Sequence, residues 1–294
     1  MSDLRVGTVA LRDTPEVVRL ERDLPGTELV MARAAEENFS VASYLLGRRT
    51  RRHLRAIYGF ARLVDEIGDA VSGDRLALLD AVERELDRVF AGEPTQPLLR
   101  ALVPTVHELE LPREPFLRLI AANRQDQLVT RYATFEDLRA YCALSADPVG
   151  DLVLRVFGRA TPERIAQSDR VCTGLQVVEH LQDVGEDHAQ GRLYLPLEDL
   201  ARFGVDETDF GRPRVSEPLR ALLGFEAGRA RSLLDAGDPL IRSLRGRARL
   251  AVAAYVAGGR AALRALADAG YEVLGETPRP SRARRALETL EALT

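Results

Sequence analysis

Apolar residues recur along this chain at steps of three and four. Leu54, Ile57, Tyr58, Ala61 and Val64 do so in one stretch, and Leu76, Leu79, Val82, Leu86 and Val89 in the next. Phe116, Leu119, Ile120 and Asn123 repeat the step, as do Leu175, Val178, Leu181 and Gln182. That spacing puts each set on one face of an α-helix. Alternating runs and Asn-Gly hairpin turns are missing. The pattern predicts an all-α protein. Glycine and proline punctuate it at 92–97, 104, 111–115, 147–150, 158–162, 196, 204–218 and 275–280. Such residues end one helix and begin another. No gap is long or low in complexity, and no fixed-period repeat is present. The expected organisation is an N-terminal arm over residues 1–30 and one helical domain over 31–294. An Arg-rich tail, 279–285, precedes a short final helix.

Composition narrows the choice of function. The 294 residues carry 41 basic and 45 acidic side chains, a formal net charge of −4. Every basic side chain is arginine, because the sequence contains no lysine. A GC-rich genome explains that, and so does an anion-binding enzyme. The charge balance disfavours a nucleic-acid partner, which is usually met by a basic face. Two cysteines, Cys142 and Cys172, are too few for a disulfide framework or a cysteine-rich zinc module. They fit a reducing, cytoplasmic setting. The longest weakly polar stretch, Leu250 to Gly259, falls short of the roughly 20 residues that span a bilayer. The acidic N-terminus reads as no export signal. Walker loops, nucleophile elbows and dinucleotide fingerprints are missing.

Two acidic segments carry the chemistry. In Tyr58-Gly-Phe-Ala-Arg62-Leu-Val-Asp65-Glu-Ile-Gly-Asp69, Asp65 and Asp69 stand one helical turn apart on the same side. In Gln176-Val-Val-Glu179-His-Leu-Gln-Asp183-Val-Gly-Glu-Asp187, three carboxylates spaced by four form a stripe over two turns. The stripe borders the apolar Leu175, Val178 and Leu181. Carboxylates crowded on one face repel unless a cation lies between them. Hard oxygen donors suit Mg²⁺, which combines a few carboxylates with substrate phosphate oxygens. Bundle folds build metal sites from facing helices in this way. Each segment alone also reads as a solvated acidic face. The cluster Arg48, Arg49, Arg51, Arg52 and Arg55 lies just before the first segment, and arginine forks match phosphate oxygens.

The order and flanks of these segments resemble the squalene/phytoene synthase family. The match runs from about Asn38 to Arg285. It rests on Tyr58-x-Phe60-x-Arg62-x-x-Asp65-x-x-x-Asp69 and on Asp183-Val-Gly-Glu186-Asp187-x-x-x-Gly191-Arg192-Leu193-Tyr194-Leu195-Pro196. Asn38-Phe39-Ser40, Tyr141-Cys142 with Pro148-Val149-Gly150, and Gln176 add to it. Within the family the chain looks most like the bacterial hydroxysqualene synthase branch, on Glu37-Asn38-Phe39, on 141–150 and on Leu197 to Gly204. Three positions depart from the family pattern: Glu179 where Asn is usual, Gln182 where many relatives place Arg, and Ala121 in a helix where many show Asp.

The resemblance implies an isoprenoid-synthase-type helical bundle around a central cavity. It implies Mg²⁺ held by Asp65, Asp69, Asp183 and Asp187, with Glu179 as a fifth ligand. Arg62 and part of the 48–55 cluster, notably Arg48 and Arg52, would bind phosphate oxygens. Tyr58, Tyr141, Tyr255 and Gln176 would stand near the reacting carbons, where a ring face stabilises positive charge. Phe39, Val64, Leu144, Val149, Leu175 and Tyr194 would line the substrate. The implied reaction ionises presqualene diphosphate and traps the cation with water as hydroxysqualene, on the route to squalene and hopanoids. Condensation of two farnesyl or geranylgeranyl diphosphates is the alternative within enzymes, and a non-catalytic helical assembly protein the alternative outside them. A greasy product makes peripheral membrane contact plausible without an anchor, and the oligomeric state stays open.

Overall fold

A computed structural model describes residues 24–26, 46–275 and 277–293. The expected arm and the Glu37 to Ser40 segment, with Phe39, lie outside the described residues apart from Leu24 to Gly26. Among the described residues the fold is helical, with one isolated bridge between Arg131 and Leu193. In chain order the helices are α1 (Arg48–Asp69), α2 (Arg75–Ala91), α3 (Pro97–Arg100), α4 (Val103–Glu108), α5 (Glu114–Asp126), α6 (Phe135–Ser145) and α7 (Asp147–Val156). There follow α8 (Pro162–Gln182), α9 (Val184–Ala189), α10 (Leu197–Phe203), a 3₁₀ turn (Glu207–Gly211), α11 (Glu217–Asp235), α12 (Asp238–Ser243), α13 (Gly246–Asp268) and α14 (Arg282–Leu293).

Local chemistry sets most of these boundaries. Asp74 and Thr161 cap α2 and α8 by accepting from Ala77 N and Arg164 N. Thr134 and Asp137 form a reciprocal capping box on α6. Gly92 ends α2 at φ 87°, where a side chain would be strained. Arg75 closes α1 by donating to the carbonyls of Gly68, Asp69 and Val71. The break expected at 147–150 falls between α6 and α7, with Pro148 in the first turn of α7, where a missing N–H is tolerated.

Apolar faces gather in two clusters. One joins α1 to α5 around Phe60, Leu63, Ile67 and Phe116, and the ring of Phe60 meets that of Phe116 edge-on at 5.1 Å. The other joins α8, α11 and α13 around Leu181, Leu222, Leu234 and Val256. Phe157 packs against both. Contrary to the expectation from 250–259, α13 is long and apolar enough to cross a bilayer, by length and composition alone. Its most apolar window is 61% buried, and Arg260 within it is paired with Asp235 and Asp238, as befits a core helix.

Glu85 shows how the first cluster is tied together. Its buried carboxylate accepts from Thr95 N, Gln96 N, Thr95 Oγ1 and Arg88. Burial works against the charge, but these donors outweigh it and hold the carboxyl below its ordinary value. Glu85→Ala is expected to lower stability by about 3 kcal/mol, by stranding the loop donors. The folded value is depressed, so the wild-type contribution is complete above the unfolded value of about 4.3 and fades as pH falls through the folded one. Urea midpoints at neutral and acid pH check both statements, and a gap between wild type and variant that does not narrow in acid contradicts the second.

Candidate active site

The first acidic segment lies on α1, where Tyr58, Arg62, Asp65 and Asp69 follow one another at helical steps along one side. Tyr58, Arg62 and Asp65 are half-buried and Asp69 is exposed. Arg62 faces Glu66 at 3.7 Å. Asn123 of α5 donates to Asp65 Oδ1 at 3.3 Å. Gly68 lets α5 come this close, since a Cβ there would stand 2.1 Å from Asn123 Oδ1.

The second segment does not form the continuous helical stripe expected from its spacing. The helix breaks at Asp183, whose φ of −103° and ψ of 10° separate α8 from α9. Asp183 and Asp187 are half-buried on either side of the bend, while Glu179 is exposed one turn earlier. Burial, with Asp187 and Glu186 close by, raises the Asp183 carboxyl above its ordinary value, and His180 and Arg279 partly offset this. The hydroxyl of Thr277 donates to Gln182 O at 2.9 Å, which ties the segment carrying Arg279 to the end of α8.

Beyond α9 the chain turns at Gly191, where φ is 80°. Arg192 N donates to Asp187 O at 2.9 Å, and the Arg192 side chain reaches Asp69 Oδ1 at 2.7 Å. One residue thus bridges the two acidic segments, reaching across 123 positions of sequence to Asp69. Burial opposes the Arg192 charge, but the bond to Asp69 outweighs it and the guanidinium is held above its ordinary value. Residues 193–198 then run beside 130–133, with Leu193 N on Thr130 O and Leu197 N on Tyr132 O. This pairing stacks Tyr194 on Tyr132 at 5.8 Å.

Tyr141 and Tyr194 converge on a residue that the motifs did not name. Asp126, the last residue of α5, accepts from Tyr141 Oη at 2.7 Å and from Tyr194 Oη at 3.2 Å. Burial pushes its carboxyl up to about 6, against the two phenol bonds and Arg192. His180 stacks on Tyr194 at 3.8 Å, and Gln176 Nε2 meets His180 Nε2 at 3.3 Å. A carboxylate at a helix C-terminus opposes the helix dipole, and that unfavourable placement is the signal the sequence offered for Asp126. Ala121, noted for lacking an acid, lies five residues earlier in the same helix.

The profile of the squalene/phytoene synthase family matches residues 32–286. The chain belongs to that family. It is an enzyme acting on prenyl diphosphates. A hydroxysqualene synthase from Rhodopseudomonas palustris is 38% identical over 71% of this chain and 72% of its own. A phytoene synthase from Arthrospira platensis is 35% identical over 71% and 72%. Among solved structures, squalene synthase HpnC from Alicyclobacillus acidocaldarius is 45% identical, with a TM-score of 0.78 over 87% of this chain and 97% of that one. A dehydrosqualene synthase solved with a ligand is 25% identical, with a TM-score of 0.82 over 94% and 96%.

The remaining expected residues scatter more widely in this family member. Arg48 and Arg52 do not join the carboxylates: the rise of α1 puts them about 25 and 20 Å from Asp65 along the axis. Arg52 is instead held by Glu108 of α4 at 2.6 Å. Arg48, Arg51 and Arg55 line a groove of about 490 Å³ at the head of α1. Val64 is fully buried in the first cluster. Val149, Leu144 and Leu175 are half-buried against the clusters. Tyr255 is half-buried, and desolvation pushes its phenol up to about 12.

Proposed function

We propose that this enzyme ionises presqualene diphosphate and captures the resulting cation with water, giving hydroxysqualene. The observation that carries the reading is the 37% and 38% identity to hydroxysqualene synthases over 68% and 71% of this chain. The 45% identity to squalene synthase HpnC supports a product of the squalene series. Phytoene synthases at 34% and 35% keep condensation of two prenyl diphosphates as the second reading.

The donor chemistry fits Mg²⁺. Arg192 donates its backbone N–H to Asp187 O and its guanidinium to Asp69 Oδ1, so it links the segment of Asp65 and Asp69 to that of Asp183 and Asp187, and like charges crowd Asp183. Among the described residues no three acidic, His or Cys side chains converge tightly enough to enclose an ion alone. Mg²⁺ commonly takes one or two carboxylates and completes its shell with water and substrate phosphate oxygens. Asp65, Asp69, Asp183 and Asp187 would hold it, and when bound it would neutralise charge on the departing diphosphate. Arg192 and Arg279 bring positive charge to the same place. Tyr132, Tyr141 and Tyr194 gather an aromatic cluster of the kind that stabilises a cation, and burial raises the Tyr141 phenol well above its ordinary value, so it stays neutral.

Purified enzyme with Mg²⁺ is offered presqualene, farnesyl and geranylgeranyl diphosphates separately. Hydroxysqualene from the first alone is the expected result. Phytoene or presqualene diphosphate from the others would overturn it, and diphosphate release unaffected by a chelator would remove the metal site.

A further inference from the structure

Asp126 is hydrogen-bonded to two phenols of the aromatic cluster, while Asp187 approaches its His180 ring at 3.9 Å. Each Asp126 oxygen accepts one phenol, Tyr141 on Oδ2 and Tyr194 on Oδ1. The other groups that act on it are Arg192 and Asp69. Tyr132 packs on both phenol rings and receives a bond from Gln125, and His180 covers the far face of Tyr194. Both phenols spend their protons on Asp126, and a phenol oxygen that donates can still accept a proton through its lone pairs. Water capture supplies such a proton, since the attacking water must lose one.

We propose that Asp126, acting through Tyr141, takes up the proton released when water captures the cation. The inference rests on the water-capture reading above. The water oxygen forms a C–O bond to the cationic carbon with its own electron pair, and one O–H bond breaks. That proton passes to Tyr141 Oη as the phenol's own proton passes to Asp126 Oδ2. The cation ends as a neutral alcohol, Tyr141 is unchanged, and the carboxylate ends as a carboxylic acid. It regains its charge by losing the proton to solvent as the product leaves. The carboxyl value of about 6 leaves it ionised at neutral pH and able to receive a proton.

The test compares wild type, Asp126→Asn and Asp126→Glu with presqualene diphosphate and Mg²⁺, measuring diphosphate release and products together. Asp126→Asn keeps an acceptor for one phenol and cannot take a proton. It is expected to lower kcat for hydroxysqualene about a hundredfold at unchanged KM. Diphosphate release continues, and alkene products formed by proton loss from carbon replace the alcohol. The wild-type profile falls on the acid side, and this limb is lost in Asp126→Asn and restored in Asp126→Glu. Asp126→Asn with wild-type kcat overturns the proposal. So does a slower variant that retains the acid limb and product ratio, because the carboxylate is then only a packing group. Wild type that yields no hydroxysqualene removes the water-capture reading and this proposal with it; wild type that yields it, beside an unaffected variant, removes the proposal alone.

Discussion

Asp183→Asn is expected to cut turnover about a thousandfold while leaving the melting temperature of the metal-free protein unchanged or higher. The two halves follow from one feature. Asp183 sits half-buried at the bend between α8 and α9, with Asp187 and Glu186 beside it, and its carboxyl is raised above the ordinary value. A raised carboxylate destabilises the fold whenever it is charged. The sign follows from linkage: the folded chain binds this proton more tightly than the unfolded chain. The penalty is therefore present above the folded value and disappears as pH falls through it and on past the unfolded one. Asn removes the charge while keeping the shape, and with it the repulsion. It also removes an oxygen donor that a cation over diphosphate would use. Added Mg²⁺ with diphosphate should raise the melting temperature of wild type and not of the variant. Thermal melts with and without the pair, beside turnover, decide the matter. A variant that melts several degrees lower, or that keeps its activity, contradicts the account.

The fold was legible because helical periodicity and Gly or Pro punctuation are local signals. α1, α2, α5 and α8 lie where steps of three and four placed them, and Gly92, Pro104 and Pro162 stand at the breaks expected of them. The site was legible only as far as its motifs reach. Asp65 and Asp69 share a side of α1 because spacing alone dictates it. The bend at Asp183 was hidden because i+4 spacing persists through it, with Asp187 N still on Asp183 O at 2.8 Å. Asp126 was hidden for a different reason: its partners come from α6 and from the segment beyond α9, 15 and 68 residues away. Arg48 and Arg52 misled by proximity in sequence. Ten to twenty residues of helix carry a side chain well beyond the reach of a diphosphate.

The bridging arginine gives the second large effect. Arg192→Gln is expected to lower kcat/KM about a hundredfold and yet to bind Mg²⁺ more tightly when no diphosphate is present. Its guanidinium rests on Asp69 Oδ1 with a side chain only 15% exposed, so in the metal-free protein it competes for a carboxylate that a cation would use. Gln vacates that oxygen without supplying charge. Once diphosphate is bound, the same guanidinium is free to serve the leaving group, and Gln cannot, so affinity for metal and turnover move in opposite directions. Stability moves little, because Asp69 is half exposed and such a pair is worth about 1 kcal/mol. Arg192→Lys keeps the charge but loses the fork that reaches Asp69 while its backbone N holds Asp187 O, and it should recover only part of the loss. Calorimetric Mg²⁺ titration beside steady-state kinetics separates the two effects. If metal affinity and turnover fall together in Arg192→Gln, the guanidinium is a fixed strut of the site and not a counter-ion that yields to the metal.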